Sequence, residues 1–600
     1  MGEIAMGYIK GAFPDNGLGS RVITTTRIHD VAKACCSHPR DYILEMKPLS
    51  DEDSRRLFFN RIYNSEEACP RQLRDISTEI LRKCDGMPLA IITISGMLAS
   101  ERLDQEDWEY VRNSLGLGTN FTLEGMRKIL DLSYKNLPPH LKTCLLYLGM
   151  YAEDFEIQRH HLELQWIAEG FISNEKGQDA EKVARSYFNE LVNRSLIQPT
   201  RFDNCGLVTH CKVHDMMRDL ILYKCAEENF LTIVDDPQDI TKVDSKVRRL
   251  SVHLDDDEID GTKLWDNISL SQVRTFMFFG ECEGMPPLRL FKFLRVLRID
   301  YTCEGVDLTG LSNMHQLRYS SVYVGRGGFN IPTQITGLQH LETLDVCANV
   351  HHTFDLVHLP CLMFLNVCWY EAQLPYGIGN LKSLRYVTKF DLMNNSPDNV
   401  ESLGELASLR FLSVYGRHYE LYDDNDAASI KRRMDALCSS LGKNCISLKF
   451  LGLYIEGCID ALMDLSPPPR RLERLWMGDV IKDSPTFLAE LDECCSYLSV
   501  PGWKSKAAEC CFFSRVPNWM GELSNLKELE INVLWPDVGI LAELPALTFL
   551  RIYIMGILRE RFVIKAREFP VLKHLELRLS STSYLAHCPS SSGSGCSSAV

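Results

Sequence analysis

The side chains best suited to chemistry are sparse and poorly grouped. Histidine pairs stand at His160-His161 and His351-His352, with no remote partners at a spacing that would complete a metal site. The first pair reads as a helical surface or partial core, the second as part of a loop. Asp423-Asp424-Asn425-Asp426 lacks the full spacing of an EF-hand, so a solvated insertion is expected. The 22 cysteines include no C-x2-C pair, and the doublets Cys35-Cys36, Cys494-Cys495 and Cys510-Cys511 are not the framework of a small secreted domain. Reduced, mostly buried thiols are expected. Phosphate binding needs glycines whose amides surround the anion, a lysine that reaches it and a Ser or Thr on magnesium, yet no G-x-x-x-x-G-K-[ST] occurs. Three stretches do place polar or turn-forming residues at element ends: Arg27 after a β-branched run, Pro88 in Gly86-Met87-Pro88-Leu89-Ala90, and His214-Asp215 after Val213. Locally they read as a strand terminus, a helix breaker and a helix start.

These residues need elements to hold them. A turn-rich approach (Gly11, Pro14, Asp15, Asn16, Gly17, Gly19) leads to Arg21-Val22-Ile23-Thr24-Thr25-Thr26-Arg27, which has the β-branched content of a central strand. Helical residues follow over 28–36, then a short apolar segment, Tyr42 to Met46. Ser50 before Asp51-Glu52-Asp53 is an N-cap with an acid-rich first turn, opening a helix that carries Leu57, Phe58, Phe59 and Ile62. A helix from Leu73 through Cys84 ends at Gly86 and Pro88, before another apolar helix. Residues 126–215 read as mainly helical, broken at Leu137-Pro138-Pro139 and leading through Leu196-Ile197 into a short hairpin. A last helix begins around Val213-His214-Asp215.

The second half contains a countable repeat. Ile331-Pro332 through Leu338, Leu341, Leu344 and Val346 is one copy; Leu374-Pro375 to Val387 and Val516-Pro517 to Ile531 follow it. Comparable leucines at 297, 317, 341, 362, 384 and 409 are spaced by 20, 24, 21, 22 and 25 residues, within the period of a leucine-rich repeat. Each L-x-x-L-x-L segment supplies a short strand whose inward side chains are buried only by a neighbouring repeat, so a curved stack with a wide concave face is expected. Such a face suits macromolecular binding better than catalysis.

The 600 residues allow several domains, and 45% hydrophobic content allows a substantial core. With 65 basic and 80 acidic residues the formal charge is -15, which gives no encouragement to nucleic-acid binding. Lys431-Arg432-Arg433 lacks aromatic platforms and reads as a charged helix face. The N-terminal residues lack the pattern of a secretory signal, Met6 stands where a myristoylation signal has Ser or Thr, and no apolar run is long enough to cross a membrane.

The blocks Gly19 to Arg27, Gly86 to Ala90 and Val213-His214-Asp215, with Leu137 to Tyr147 and Trp166-Ile167-Ala168-Glu169-Gly170-Phe171, resemble the plant intracellular nucleotide-binding leucine-rich-repeat disease-resistance proteins of the coiled-coil, non-toll branch. The resemblance covers most of residues 11 to 577. It implies a multidomain chain. A partial α/β nucleotide-binding remnant would span 1–47, a helical domain 48–125 and a winged-helix domain 126–232. A linker with irregular first repeats would follow over 233–290, a leucine-rich-repeat solenoid over 291–580 and a flexible tail over 581–600. It also implies ADP or ATP as the family's cofactor, with Arg27 near the terminal phosphate, Pro88 near adenine, and His214 and Asp215 near the phosphates. Val213 stands where the family usually has methionine. The family's acidic metal-binding strand is not reproduced by Glu3-Ile4-Ala5-Met6-Gly7, so the sequence resembles the later part of a nucleotide switch, and weak nucleotide binding without ATPase activity is expected.

The resemblance implies a cytoplasmic innate-immunity receptor. Its repeats would recognise a pathogen effector or a guarded host protein, with receptor self-association as a further contact, and without nucleic acid or stable membrane insertion. The alternative of a different class is a nucleotide-independent scaffold or decoy that uses only the repeat surface. An NTPase is the third reading, disfavoured by the missing lysine and acidic strand.

Overall fold

The computed structural model describes residues 23–26, 29–36, 42–100, 105–115, 123–172, 178–244, 246–254, 265, 268–280, 286–301, 308–328, 337–349, 356, 358–368, 377–416, 427–443, 446–455, 457–477, 511–535, 538–555 and 569–579. The chain forms two compact units, residues 1–129 and 130–600.

In the first unit, α1 (His29–Cys35), α2 (Asp51–Tyr63), α3 (Arg74–Cys84), α4 (Pro88–Ser100) and α5 (Gln105–Ser114) follow in order, and α6 (Leu123–Lys135) crosses the boundary. Ser50 caps α2 as expected: its Oγ accepts from the Asp53 amide at 3.1 Å, with Asp51, Glu52 and Asp53 at the positive end of the helix. Phe58 meets Phe59 and Trp108 edge-on, with ring centroids 5.4 and 6.3 Å apart, and all three are buried. Gly86 adopts φ +69°, and its carbonyl accepts from the Leu49 amide at 2.8 Å. A β-carbon there would lie 2.4 Å from the Leu49 carbonyl oxygen, so only glycine permits this turn.

The strand expected over 21–27 is not formed where it is described. Residues 23–26 are in no strand and Ile23 is 89% exposed; Tyr42, Leu44 and Met46, the second apolar segment, are exposed as well. Among the described residues the first unit contains no sheet, and a β-branched run without a ladder partner gains neither hydrogen bonds nor a buried face.

The second unit opens with α7 (Pro139–Tyr147), β1 (Ile157–Gln158), α8 (Arg159–Glu169), α9 (Ala180–Asn193), β2 (Gln198–Phe202), β3 (Val208–Lys212) and α10 (Asp215–Glu228). The three strands make an antiparallel sheet in the order β1-β3-β2, with the expected hairpin as its wing. Gly170, at φ +84°, closes α8 in the left-handed conformation.

A sheet of sixteen strands follows. Its strands are β4 (Thr232–Val234), β5 (Arg249–Leu254), β6 (Thr275–Gly280), β7 (Val296–Tyr301), β8 (Tyr319–Gly328), β9 (Thr343–Asn349), β10 (Phe364–Cys368), β11 (Tyr386–Asp391), β12 (Phe411–Gly416), β13 (Phe450–Ile455), β14 (Gly457–Cys458), β15 (Arg474–Met477), β16 (Cys511–Arg515), β17 (Glu528–Trp535), β18 (Phe549–Ile554) and β19 (His574–Leu579). The pairing is parallel throughout, the signature of a solenoid in which each repeat adds one strand. Leu250, Phe276, Leu297, Ser320, Leu344 and Leu365 occupy one inward row on successive rungs. Each fully buried leucine in such a row contributes roughly 1.5–3 kcal/mol.

Register corrects one step of the sequence count. Leu297 pairs with Ser320, not with the position of Leu317, and the counterpart of Leu317 is Leu294, the leucine that likewise precedes its strand by two residues. Ser320, fully buried where its neighbours are leucines, has no hydrogen-bond partner for its hydroxyl. Behind the sheet, α11 (Pro397–Ser402) and α12 (Ala427–Lys443) add Val400, Leu437 and Leu441 to the same core. Lys431 and Arg432 are exposed on α12, the charged face expected of them.

Candidate functional site

The first outward position of each strand forms a second row: Arg249, Thr275, Val296, Tyr319, Thr343, Phe364, Tyr386, Phe411, Phe450, Arg474 and Glu528 lie on adjacent rungs. Aromatic side chains dominate its middle. Phe411 stacks on Phe450 at 4.0 Å, and Phe450 meets Trp476 edge-on at 4.9 Å. These aromatics are covered by α8, whose Leu164 and Ala168 join Val296, Tyr319, Phe364, Phe411, Phe450, Tyr454 and Trp476 in one buried cluster. The winged-helix segment therefore sits on the outward face of the repeat sheet.

Polar contacts frame that apolar centre. At the C-terminus of α8, Arg249 donates to both Glu169 carboxylate oxygens, at 3.1 and 3.3 Å, and its guanidinium lies 4.2 Å from the Phe230 ring centre. The Thr275 hydroxyl also reaches that carboxylate, and Arg295 Nη1 donates to the Glu169 carbonyl at 3.3 Å. Before α9, Arg410 donates to Asp179 at 3.2 Å, while Arg385 and the Tyr386 hydroxyl donate to Glu181 at 2.6 and 2.5 Å. Burial opposes ionisation of Asp179, but the Arg410 hydrogen bond and the charges of Arg410 and Arg385 outweigh it and hold this carboxyl below its usual range. At the tip of the β2–β3 hairpin, Arg474 donates to Asp203 at 2.8 Å, and Asn204 Nδ2 donates to Glu530 at 3.1 Å and to Glu528. Glu528 is fully buried, and its pKa is pushed up to about 7 by burial, against the pull of Arg474.

The histidine pair lies inside this interface. His161 Nδ1 is 2.7 Å from the Tyr319 hydroxyl and its Nε2 is 3.7 Å from Asp345, whose carboxylate accepts from Ser321 at 2.9 Å and Asn366 at 2.8 Å. His160 packs between Phe364 and Tyr386. Burial drives both imidazoles below their ordinary range, His160 furthest. The expectation of a partial core role holds for both. No group of His, Cys, Asp and Glu suited to a metal ion occurs among the described residues.

The nucleotide residues implied by the resemblance are placed as follows. Arg27 lies outside the described residues. Pro88 is exposed at the first position of α4, in the first unit. His214 and Asp215 are half-buried in the second unit, where His214 caps α10: its Nδ1 accepts from the Met216 amide at 3.2 Å. With Nδ1 accepting, only Nε2 is left to donate to an anion. In the first unit, the glycine turn beside Pro88 offers no cradle, because Gly86 is packed against Leu49, and proline has no amide to give. Taken unit by unit, neither the proline ring in the first nor the single imidazole donor in the second is a self-sufficient nucleotide site. The described residues do not fit the group, and no chemical step is assigned to it.

Sequence reading missed Glu169, Asp179, Glu181 and Asp203, together with the arginines that hold them. A signal was present in the repeats: basic residues recur immediately before the strands, at Arg248, Arg274, Arg295, Arg318, Arg385, Arg410 and Lys449, and aromatic residues recur at the first strand position. Only alignment of the repeats by register brings it out.

Two family models match the chain, one described as "Leucine-rich repeat region" over residues 272–588 and one as "Disease resistance protein Winged helix domain" over 150–221. Among curated relatives, the rice (Oryza sativa subsp. japonica) disease resistance protein RGA5 is 38% identical over 94% of this chain and 49% of its own length. Rice Pik-2 is 29% identical over 80% of this chain and 51% of its own, and a putative late blight resistance protein homolog, R1B-16, from Solanum demissum is 32% identical over 66% of this chain and 29% of its own. The chain thus spans about half the length of the rice relatives. Repeat sheet, winged helix and these likenesses agree: the chain belongs to the plant nucleotide-binding, leucine-rich-repeat family of disease-resistance proteins.

Proposed function

We propose that this chain is the recognition and latching part of a cytoplasmic plant immune receptor. The repeat face binds a pathogen effector or a guarded host protein, and the winged helix occupies that face until recognition displaces it. The observation that carries this reading is the interface itself, an aromatic row sealed under α8 and framed by three arginine–carboxylate clusters. A ligand shifts such an equilibrium only by binding the open state better than the closed one. Arginine–carboxylate pairs suit the task because, once half-buried, they are costly to break singly and readily re-solvated when the whole face opens. On this reading the contribution of these residues to ADP/ATP-dependent switching is the contact between winged helix and repeats, and no ATPase step is assigned to them.

Reversal of Arg385 and Arg410 to Glu sets like charges against Asp179 and Glu181. Hydrogen exchange of the whole chain should then rise over α8 and β8–β12, and fall back when Asp179 and Glu181 are changed to Arg in the same molecule. Unchanged exchange in the double reversal would refute the latch. The scaffold or decoy reading remains the second one, favoured by the poor fit of the residues near Pro88 and His214 to a nucleotide. It requires partner binding that is indifferent to ADP and ATP.

A further inference from the structure

The residue just before each strand forms its own ladder along one rim of the sheet. Its amide donates to the carbonyl of the equivalent residue one repeat earlier: Arg274 to Arg248 at 2.7 Å, Arg295 to Arg274 at 2.7 Å and Arg318 to Arg295 at 2.9 Å. Four arginines thus stand on four consecutive rungs, about 4.8 Å apart, over a strip of roughly 14 Å. Little balances them. The Glu169 carboxylate is taken by Arg249 and Thr275, Arg295 donates to the Glu169 carbonyl at 3.3 Å, and Glu342 pairs with Arg318 at 3.6 Å. The guanidiniums of Arg248 and Arg274 make no hydrogen bond or ion pair among the described residues, and Arg248 is exposed. Burial first, then the charges of Arg295 and Arg248, holds the Arg274 guanidinium below its ordinary range, as expected where like charges crowd. Beside the strip, Lys292 is exposed and Phe293 is 48% exposed, a large apolar ring left in water two residues before Arg295.

We infer that the rim from Arg248 to Arg318 is a docking strip for a short acidic peptide segment of a partner protein, one that carries an apolar side chain among its carboxylates. Planar guanidiniums donate to carboxylates in a bidentate fork, and the strip is as long as about four extended residues. Phe293 decides between a peptide and a polyphosphate: an aromatic ring is covered by an apolar side chain and gains nothing from a phosphorylated polyol. The strip shares with the latch only Arg295, whose Nη1 donates to the Glu169 carbonyl; Arg248 and Arg274 make no hydrogen bond or ion pair with the described residues of the winged helix. It adds a partner chemistry to the proposed recognition role, and its test is separate from that of the latch.

The test titrates the whole chain with a fluorescent peptide of alternating Glu and Asp around a central Leu, and with inositol hexakisphosphate as a second probe. The peptide should bind, with affinity that falls as salt rises. Arg248→Glu with Arg274→Glu should weaken it at least about tenfold, and Phe293→Ser a few-fold. Lys431→Glu with Arg432→Glu, the same charge change on α12, should leave it unaltered. The inference is overturned if the chain does not bind the peptide, if the α12 reversal weakens it equally, or if inositol hexakisphosphate binds more tightly and ignores Phe293→Ser. Failure of the Arg385 and Arg410 reversal to open the interface would count against the latch and leave the strip standing.

Discussion

At the scale of single residues, Glu528 and the two interface histidines respond to pH in opposite directions. Glu528 is buried with a pKa of about 7, above the ordinary carboxyl value, so the closed form binds the proton more tightly than a solvated reference. Stability from this site is therefore greatest at low pH and declines as pH rises from the ordinary carboxyl value through about 7. His160 and His161 are held neutral, with their ionisation depressed by burial, so their effect runs the other way: closure weakens as pH falls below the ordinary imidazole value. Replacing Glu528 with Gln removes the first effect alone. The variant should unfold less readily than the parent at pH 8, by on the order of 2–3 kcal/mol, and differ little at pH 5, in denaturant titrations at the two values. A variant equally destabilised at both would show that Glu528 acts mainly as a hydrogen-bond acceptor for Asn204. None of this was legible in the linear chain, where Glu528 is one x in L-x-x-L-x-L. His214 was legible, because a helix cap is a local property of the residues beside it.

Among the elements, helices whose ends carry their own signals came out as read. Ser50 with three following acids, Gly170 after α8 and the Gly86–Pro88 break all stop or start a helix through bonds made within a few residues. Over 23–26, the described part of the run read as a strand, no strand forms, for the complementary reason that a strand exists only through a neighbour. Gly86 shows how tightly a local turn can be held. Gly86→Ala would drive a methyl group to 2.4 Å from the Leu49 oxygen at φ +69°, and should cost about 2 kcal/mol or more. The expected result is a lower thermal midpoint for the first unit in calorimetry, whereas Gly206→Ala, whose added carbon meets nothing within 4 Å, should lower stability only by its backbone strain of about 1 kcal/mol.

Taken whole, the second unit couples a parallel repeat sheet to a winged helix through polar contacts whose members lie far apart in sequence. Arg474 and Asp203 meet at 2.8 Å across 271 residues, and Asn204 and Glu530 at 3.1 Å across 326. Calorimetric titration of the chain with ADP and ATP in magnesium should show no tight binding, since His214 offers a single donor and no phosphate loop is present; a submicromolar, magnesium-dependent site would contradict this. The sequence alone determined the repeat period, the inward leucines, the helix caps and the family resemblance, because each depends on residues at fixed short spacing. It did not determine register, and so could not tell that Leu294, not Leu297, answers to Leu317, nor that Arg248, Arg274, Arg295 and Arg318 stand in file. Stacking of the repeats decided that, since hydrogen bonding between strands places residues one repeat apart on neighbouring rungs, about 4.8 Å from each other. The covered aromatic face belongs to tertiary structure for the same reason: its two sides come from distant stretches, and neither carries a local mark of the other.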